Sequence, residues 1–96
     1  MSFDKAKVVR AAEKYLTQGK ILPAITEYRK ITAEEPGDFT ALNMLGDLYV
    51  RVDHKQEAIE CFSRIAEHYR EQGFNLKAIA MFKKIQRLEP DDQDLA

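Results

Sequence analysis

Three copies of one apolar pattern run through the chain, and two of them overlap. The first is Val8, Ala11, Ala12, Tyr15, Ala24, Tyr28, Ile31 and Pro36. The second is Leu42, Leu45, Gly46, Tyr49, Ala58, Phe62 and Ile65. The third is Phe62, Ile65, Ala66, Tyr69, Ala78, Phe82, Ile85 and Pro90, so Phe62 and Ile65 serve twice. Each copy sets apolar residues at helical intervals, breaks, and then opens a second helical stripe on a small residue. An internal repeat of this kind constrains architecture more than any single motif, because no one unit can bury its apolar face alone.

The segments LNMLGDLYVRVDHKQEAIECFSRI and FSRIAEHYREQGFNLKAIAMFKKIQRLEP resemble the tetratricopeptide repeat, a helix–turn–helix unit of about 34 residues. Val8, Leu42 and Phe62 stand where that family usually has Trp; Ala12, Gly46 and Ala66 take its small position, and Tyr15, Tyr49 and Tyr69 its tyrosine. The resemblance covers nearly the whole chain and implies an all-α fold. The expected architecture is a helical-repeat solenoid of five antiparallel helices curling into a superhelix, as one domain over residues 1–96.

The spacing departs from the family in one place. Ala24 to Ala58 is 58 − 24 = 34 residues, but Ala58 to Ala78 is 78 − 58 = 20, too short for another helix pair. The fourth helix must therefore be shared, ending one repeat and beginning the next. The sequence predicts helices over about 4–18, 22–34, 39–52, 55–72 and from just after Asn75 to Pro90. Gly19 and Gly73 end helices by taking positive φ, and Pro36-Gly37 stops the second. Asp38, Asp53 and Asn75 are the expected N-caps, Asp53 with Gln56 at capping-box spacing. A glycine inside a helix costs about 1 kcal/mol relative to alanine, so Gly46 points to a neighbour packed too close for a side chain. The tail PDDQDLA echoes PGDFTAL, which leads us to expect the N-terminal part of a longer protein.

Composition narrows the function. Net charge is −1, with 45% apolar and 32% charged residues. The strong positive balance of a nucleic-acid binder is missing, and the longest apolar run is too short to cross a membrane. No apolar run follows the charged N-terminus as in a signal peptide. A single cysteine suits a reducing compartment, and a cytoplasmic location is expected.

We expect no catalytic residue, metal, cofactor or small-molecule substrate. His54, Cys61 and His68 recur at heptad spacing, but seven residues of helix rise about 10.5 Å, and zinc ligands must all lie about 2.0–2.3 Å from the ion. Neither histidine is placed as a base for Cys61. The glycines are isolated and form no phosphate loop. Tyr15, Tyr49 and Tyr69 could stack on nucleic-acid bases, yet all three lie on core stripes and are expected to pack between helices.

What remains is a surface. In the family resembled, the first helix of each repeat lines a concave groove that holds a peptide or helix of a partner protein. Carried over by position, that groove comprises Ala6, Val9, Glu13 and Thr17 from helix one, and Thr40, Asn43, Asp47 and Arg51 from helix three. Helix four adds Ser63, Glu67 and Arg70. Asn43 is the leading candidate, because its amide both donates and accepts. The carboxylate-clamp subtype is excluded. Its positions hold Val9, Glu13, Met44, Glu60 and Arg64, and the two glutamates would repel a terminal carboxylate. The expected function is thus a protein-interaction scaffold or adaptor. The alternatives are self-assembly into a homo-oligomer through an open C-terminal end and, disfavoured by charge, RNA binding.

Overall fold

The structure, a computed structural model, describes residues 3–89. It is all-helical over those residues, with α1 at Lys5–Thr17, α2 at Ile21–Glu34, α3 at Phe39–Arg51, α4 at Lys55–Glu71 and α5 at Asn75–Leu88. Each helix packs on its neighbours in sequence. The expectations for Pro90 and for the echo in residues 90–96 lie outside the described residues.

Two kinds of helix start explain how the chain is laid out. Helices α1 and α3 start from side-chain caps: Asp4 Oδ1 accepts from the Lys7 N–H at 3.1 Å, and Asp38 Oδ1 from the Ala41 N–H at 3.0 Å. The other three helices start directly from the end of the helix before them. Gly19, Asp53 and Gly73 adopt φ of 73°, 63° and 80°. In each case the next residue's N–H (Lys20, His54, Phe74) bonds back to a tyrosine carbonyl (Tyr15, Tyr49, Tyr69) at 2.8 Å. The preceding N–H bonds one carbonyl further on, Gly19 to Leu16, Asp53 to Val50 and Gly73 to Arg70. These are Schellman closures, in which one left-handed residue satisfies the last free carbonyls.

This geometry corrects two expected caps. Asp53 is the left-handed residue that ends α3, and His54 occupies the cap position of α4 without a side-chain bond. Asn75 is the first helical residue of α5, and Phe74 precedes it as the cap. Each Schellman turn leaves three residues between two helices, with the left-handed one in the middle, so the N-cap falls one position beyond it. Aspartate is among the few non-glycine residues that tolerate that conformation.

The same turn enters α4 and leaves it, whereas the Glu35–Asp38 link before α3 is of a different kind, closed by Asp38 N–H to Glu35 C=O at 3.0 Å. Helix α4 is unbroken through Phe62 and packs against both α3 and α5, as a helix shared by two repeats must. Its buried side chains are Ala58, Cys61, Phe62, Ile65 and Ala66, a wide stripe that faces two neighbours.

The small positions make this close packing possible. Ala12, Ala24, Ala58 and Ala66 are wholly buried. A Cβ added to Gly46 would stand 2.5 Å from Cε1 of Phe62 and 2.8 Å from its Cζ, so α3 and α4 touch through the missing side chain. The tyrosines of the three turns pack against the core. Two also cover their own turns: Tyr49 stacks on His54 with ring centroids 6.1 Å apart, and Tyr69 meets Phe74 edge-on at 6.3 Å. Contact between these two positions commonly accompanies a Schellman closure.

Candidate functional site

Among the described residues, the groove positions read from the sequence divide: Val9, Glu13 and Thr40 line one cleft, Ser63 and Glu67 another, and the rest line neither. Val9 and Glu13 of α1 meet Thr40 of α3 in a cleft of about 390 Å³. Its floor is apolar, built from buried Tyr28, Ile31 and Ala41, with half-buried Val9 and exposed Met44 on its flanks. Glu13 lies exposed at its rim. Burial pushes the Tyr28 phenol above its ordinary value, and the nearby Glu13 charge adds to the effect.

An ionic clasp closes one end of this cleft. Lys5 at the start of α1 pairs with Oδ2 of Asp38, while Oδ1 of the same carboxylate caps α3. Lys5 Nζ also reaches Glu35 at 3.4 Å. The Lys5 hydrogen bond holds the Asp38 carboxyl below its usual range against partial burial, with help from the Ala41 N–H. The lysine beside it is raised in turn. The basic start of α1 is therefore fastened by Lys5 to the α2–α3 link.

Asn43 and Asp47 face a different neighbour. Lys84 of α5 reaches across to α3, where its Nζ lies 2.7 Å from Asp47 Oδ1 and donates to Asn43 Oδ1 at 3.3 Å. The same ammonium sits 4.3 Å from the centroid of the buried Phe62 ring, a cation–π geometry. One lysine thus joins α3, α4 and α5, and it already occupies the Asn43 amide oxygen.

Ser63 and Glu67 line a second cleft, of about 420 Å³, with Pro36, Phe39, Arg64 and His68. The His68 imidazole stacks on Phe39, with centroids 4.2 Å apart. Arg70 is drawn to this side by a 3.0 Å bond from its Nε to Glu67. Thr17 and Arg51 line none of these clefts: Thr17 donates to the Lys14 carbonyl at 2.8 Å, and Arg51 is exposed in the last turn of α3. Ala6 is exposed on α1.

A third cleft, of about 430 Å³, lies among α2, α3 and α4, lined by Arg29, Leu45, Tyr49, Glu60, Cys61 and Arg64 among others. Cys61 is buried there, and desolvation raises its thiol to about 11. It is a protonated, packed side chain rather than an activated thiolate. Each member of the His54, Cys61 and His68 series thus has a different packing partner. No group of three or more His, Cys, Asp or Glu among the described residues could hold a metal ion. No helix among them is long and apolar enough to cross a membrane.

The sequence reading did not select Tyr28 and Ile31 as cleft floor, nor Lys84 as the partner of Asn43. Met44 was the legible signal: an apolar side chain off the Leu42, Leu45 and Tyr49 stripe, left exposed beside Thr40. No protein-family model and no curated protein matches the chain.

Proposed function

We propose that this chain is a protein-interaction module of the tetratricopeptide type, serving as a scaffold or adaptor in a reducing, cytoplasmic setting. The repeat would continue as a curved solenoid of antiparallel helices. Within it, the cleft between α1, α2 and α3 takes an apolar side chain from a peptide or helix of another protein. The observation that carries this reading is the composition of that cleft, an apolar floor of Tyr28, Ile31 and Ala41 with an exposed carboxylate, Glu13, at the rim. Convergent apolar surface with few polar groups is the usual make-up of a ligand site. The carboxylate selects a lysine or arginine beside the anchoring side chain and disfavours an acidic tail.

The test compares the immobilised chain with its Met44→Glu and Glu13→Lys variants in partner capture, followed by calorimetry on the captured protein. Both positions are exposed, so stability should change by no more than about 0.5 kcal/mol. Loss of an interfacial anchor costs about 2 kcal/mol or more, roughly a thirtyfold loss of affinity. Equal affinity in all three proteins would remove this cleft as the binding site.

A further inference from the structure

The cleft between α1 and α3 has two walls that are tied together at one end. Lys5, Val9 and Glu13, at successive i+4 steps, form the α1 wall. Asp38, Thr40, Ala41 and Met44 form the wall at the head of α3, and Tyr28 and Ile31 of α2 lie between. Helix α1 packs on α2, while α3 packs on α2 and α4. Among the described residues, the ion pairs of Lys5 are the only polar contacts that join α1 to the opposite wall and to the α2–α3 link.

The two ends of the main pair are unlike. The Asp38 side chain is 10% exposed; its Oδ1 is committed to the Ala41 N–H, and its buried Oδ2 has no partner besides Lys5. A pair with a buried carboxylate is screened less than one in open water, so this tie is stronger than an ordinary surface pair. The Lys5 side chain is 46% exposed and is the end that can let go. The rest of the first turn does not favour its place: it holds Lys7 and no acidic residue, the wrong sign for the positive end of a helix dipole. The far end of α1 is pinned by the Gly19 turn, where the Lys20 N–H bonds to the Tyr15 carbonyl at 2.8 Å.

We infer that Lys5 is a latch on this cleft: with its ammonium on Asp38 the start of α1 is held against the head of α3, and release lets the α1 wall pivot about the Gly19 turn and uncover the Tyr28 and Ile31 floor. That the uncovered floor receives a partner rests on the function proposed above; the latch itself does not, and it is read in the chain alone.

Backbone amide hydrogen exchange is compared in the parent, in Lys5→Met, which keeps the apolar stem and loses the charge, and in Lys5→Arg, which keeps the charge. In Lys5→Met the amides of Val8 to Ala12 should exchange at least about tenfold faster, while those around Phe62 in α4 change by less than about twofold, the mark of a local opening rather than a global loss of stability. Lys5→Arg should behave as the parent. Asp38→Asn removes the other half of the pair and should also speed exchange in α1, and the double variant with Lys5→Met should exceed the faster single by no more than about twofold. Relaxation of the Tyr28 ring by a neutral gadolinium chelate in solution should rise in Lys5→Met. Equal acceleration in α1 and α4 would make the pair a general stabiliser. Unchanged exchange or an unchanged Tyr28 ring would show that the wall is held by its packing on α2, and additive effects of the two substitutions would show that Lys5 and Asp38 act apart. Each of these overturns the inference. Partner capture indifferent to Met44→Glu and Glu13→Lys would instead remove the binding reading and leave the exchange results standing.

Discussion

Adding one methyl group at Gly46 sets two opposing effects against each other, and the structure decides the sign. In an open helix, Gly46→Ala would stabilise the protein by about 1 kcal/mol through helix propensity alone. Here the new Cβ would lie 2.5, 2.8 and 3.0 Å from three ring atoms of Phe62, well inside the roughly 3.5–4.0 Å at which carbon atoms attract. The ring has little room to retreat: Phe62 is fully buried, and Lys84 sits 4.3 Å from its centroid. Overpacking a filled core costs about 1–3 kcal/mol. The net expectation is a loss of about 0–2 kcal/mol for alanine and a larger loss for Gly46→Leu. In a domain of this size each kcal/mol corresponds to about 4–8 °C in Tm. The assay is urea denaturation followed at 222 nm, with Gly46→Ala made in the parent and in a Phe62→Leu background. Leucine lacks the two ring atoms that come closest, Cε1 and Cζ, so alanine should become favourable there, giving a coupling of about 0.5–3 kcal/mol. A Gly46→Ala protein that gains the full 1 kcal/mol in the parent would refute the close approach of α3 and α4.

The clasp at Asp38 gives a pH dependence with a definite sign. Its folded-state pKa is depressed, so its contribution is complete above the unfolded carboxylate value near about 3.9 and is lost as pH falls through the folded value. Asp38→Asn should flatten the acid limb of urea midpoints measured from pH 7 downward, whereas Asp38→Ala should also cost about 0.5–2 kcal/mol at neutral pH through the lost cap; an unchanged acid limb in the asparagine variant would contradict the pairing. Lys84→Met keeps the apolar stem but removes the Asp47 pair and the Phe62 contact. With about 0.2–1 kcal/mol for such a pair and about 0.5–1 for the cation–π contact, the expected loss is about 0.7–2 kcal/mol, with faster amide exchange in α5. A loss no greater than that of Asp47→Asn would show that the ring contact contributes nothing.

Local order in this protein is legible in the sequence because its causes are local. Apolar intervals of three and four residues define the five helices, and Gly19 and Gly73 mark two of the left-handed turns. The 20-residue step from Ala58 to Ala78 leaves room for one helix where two would be needed, and so announces α4 as shared. Gly46 advertises a close contact because a glycine inside a helix costs about 1 kcal/mol relative to alanine. The cap at Asp53 was misread because aspartate favours both an N-cap and a left-handed turn, and the choice depends on how tightly the next helix follows.

Tertiary structure decided everything that depends on which element covers which. Tyr28, Phe62 and Phe82 share one repeat position, yet only the first two are buried; periodicity shows where a residue points but not whether another helix arrives there. Lys84 looks in sequence like a residue suited to the C-terminal dipole of its helix. In the structure it reaches Asn43, 41 positions away, because α5 packs on α4 alongside α3. Lys5 finds Asp38, and Val9 shares a cleft with Met44, for the same reason. A repeat pattern specifies the faces of helices one at a time, whereas the clefts and the Lys5–Asp38 and Lys84–Asp47 pairs arise between segments far apart in sequence, from packing that no single segment contains.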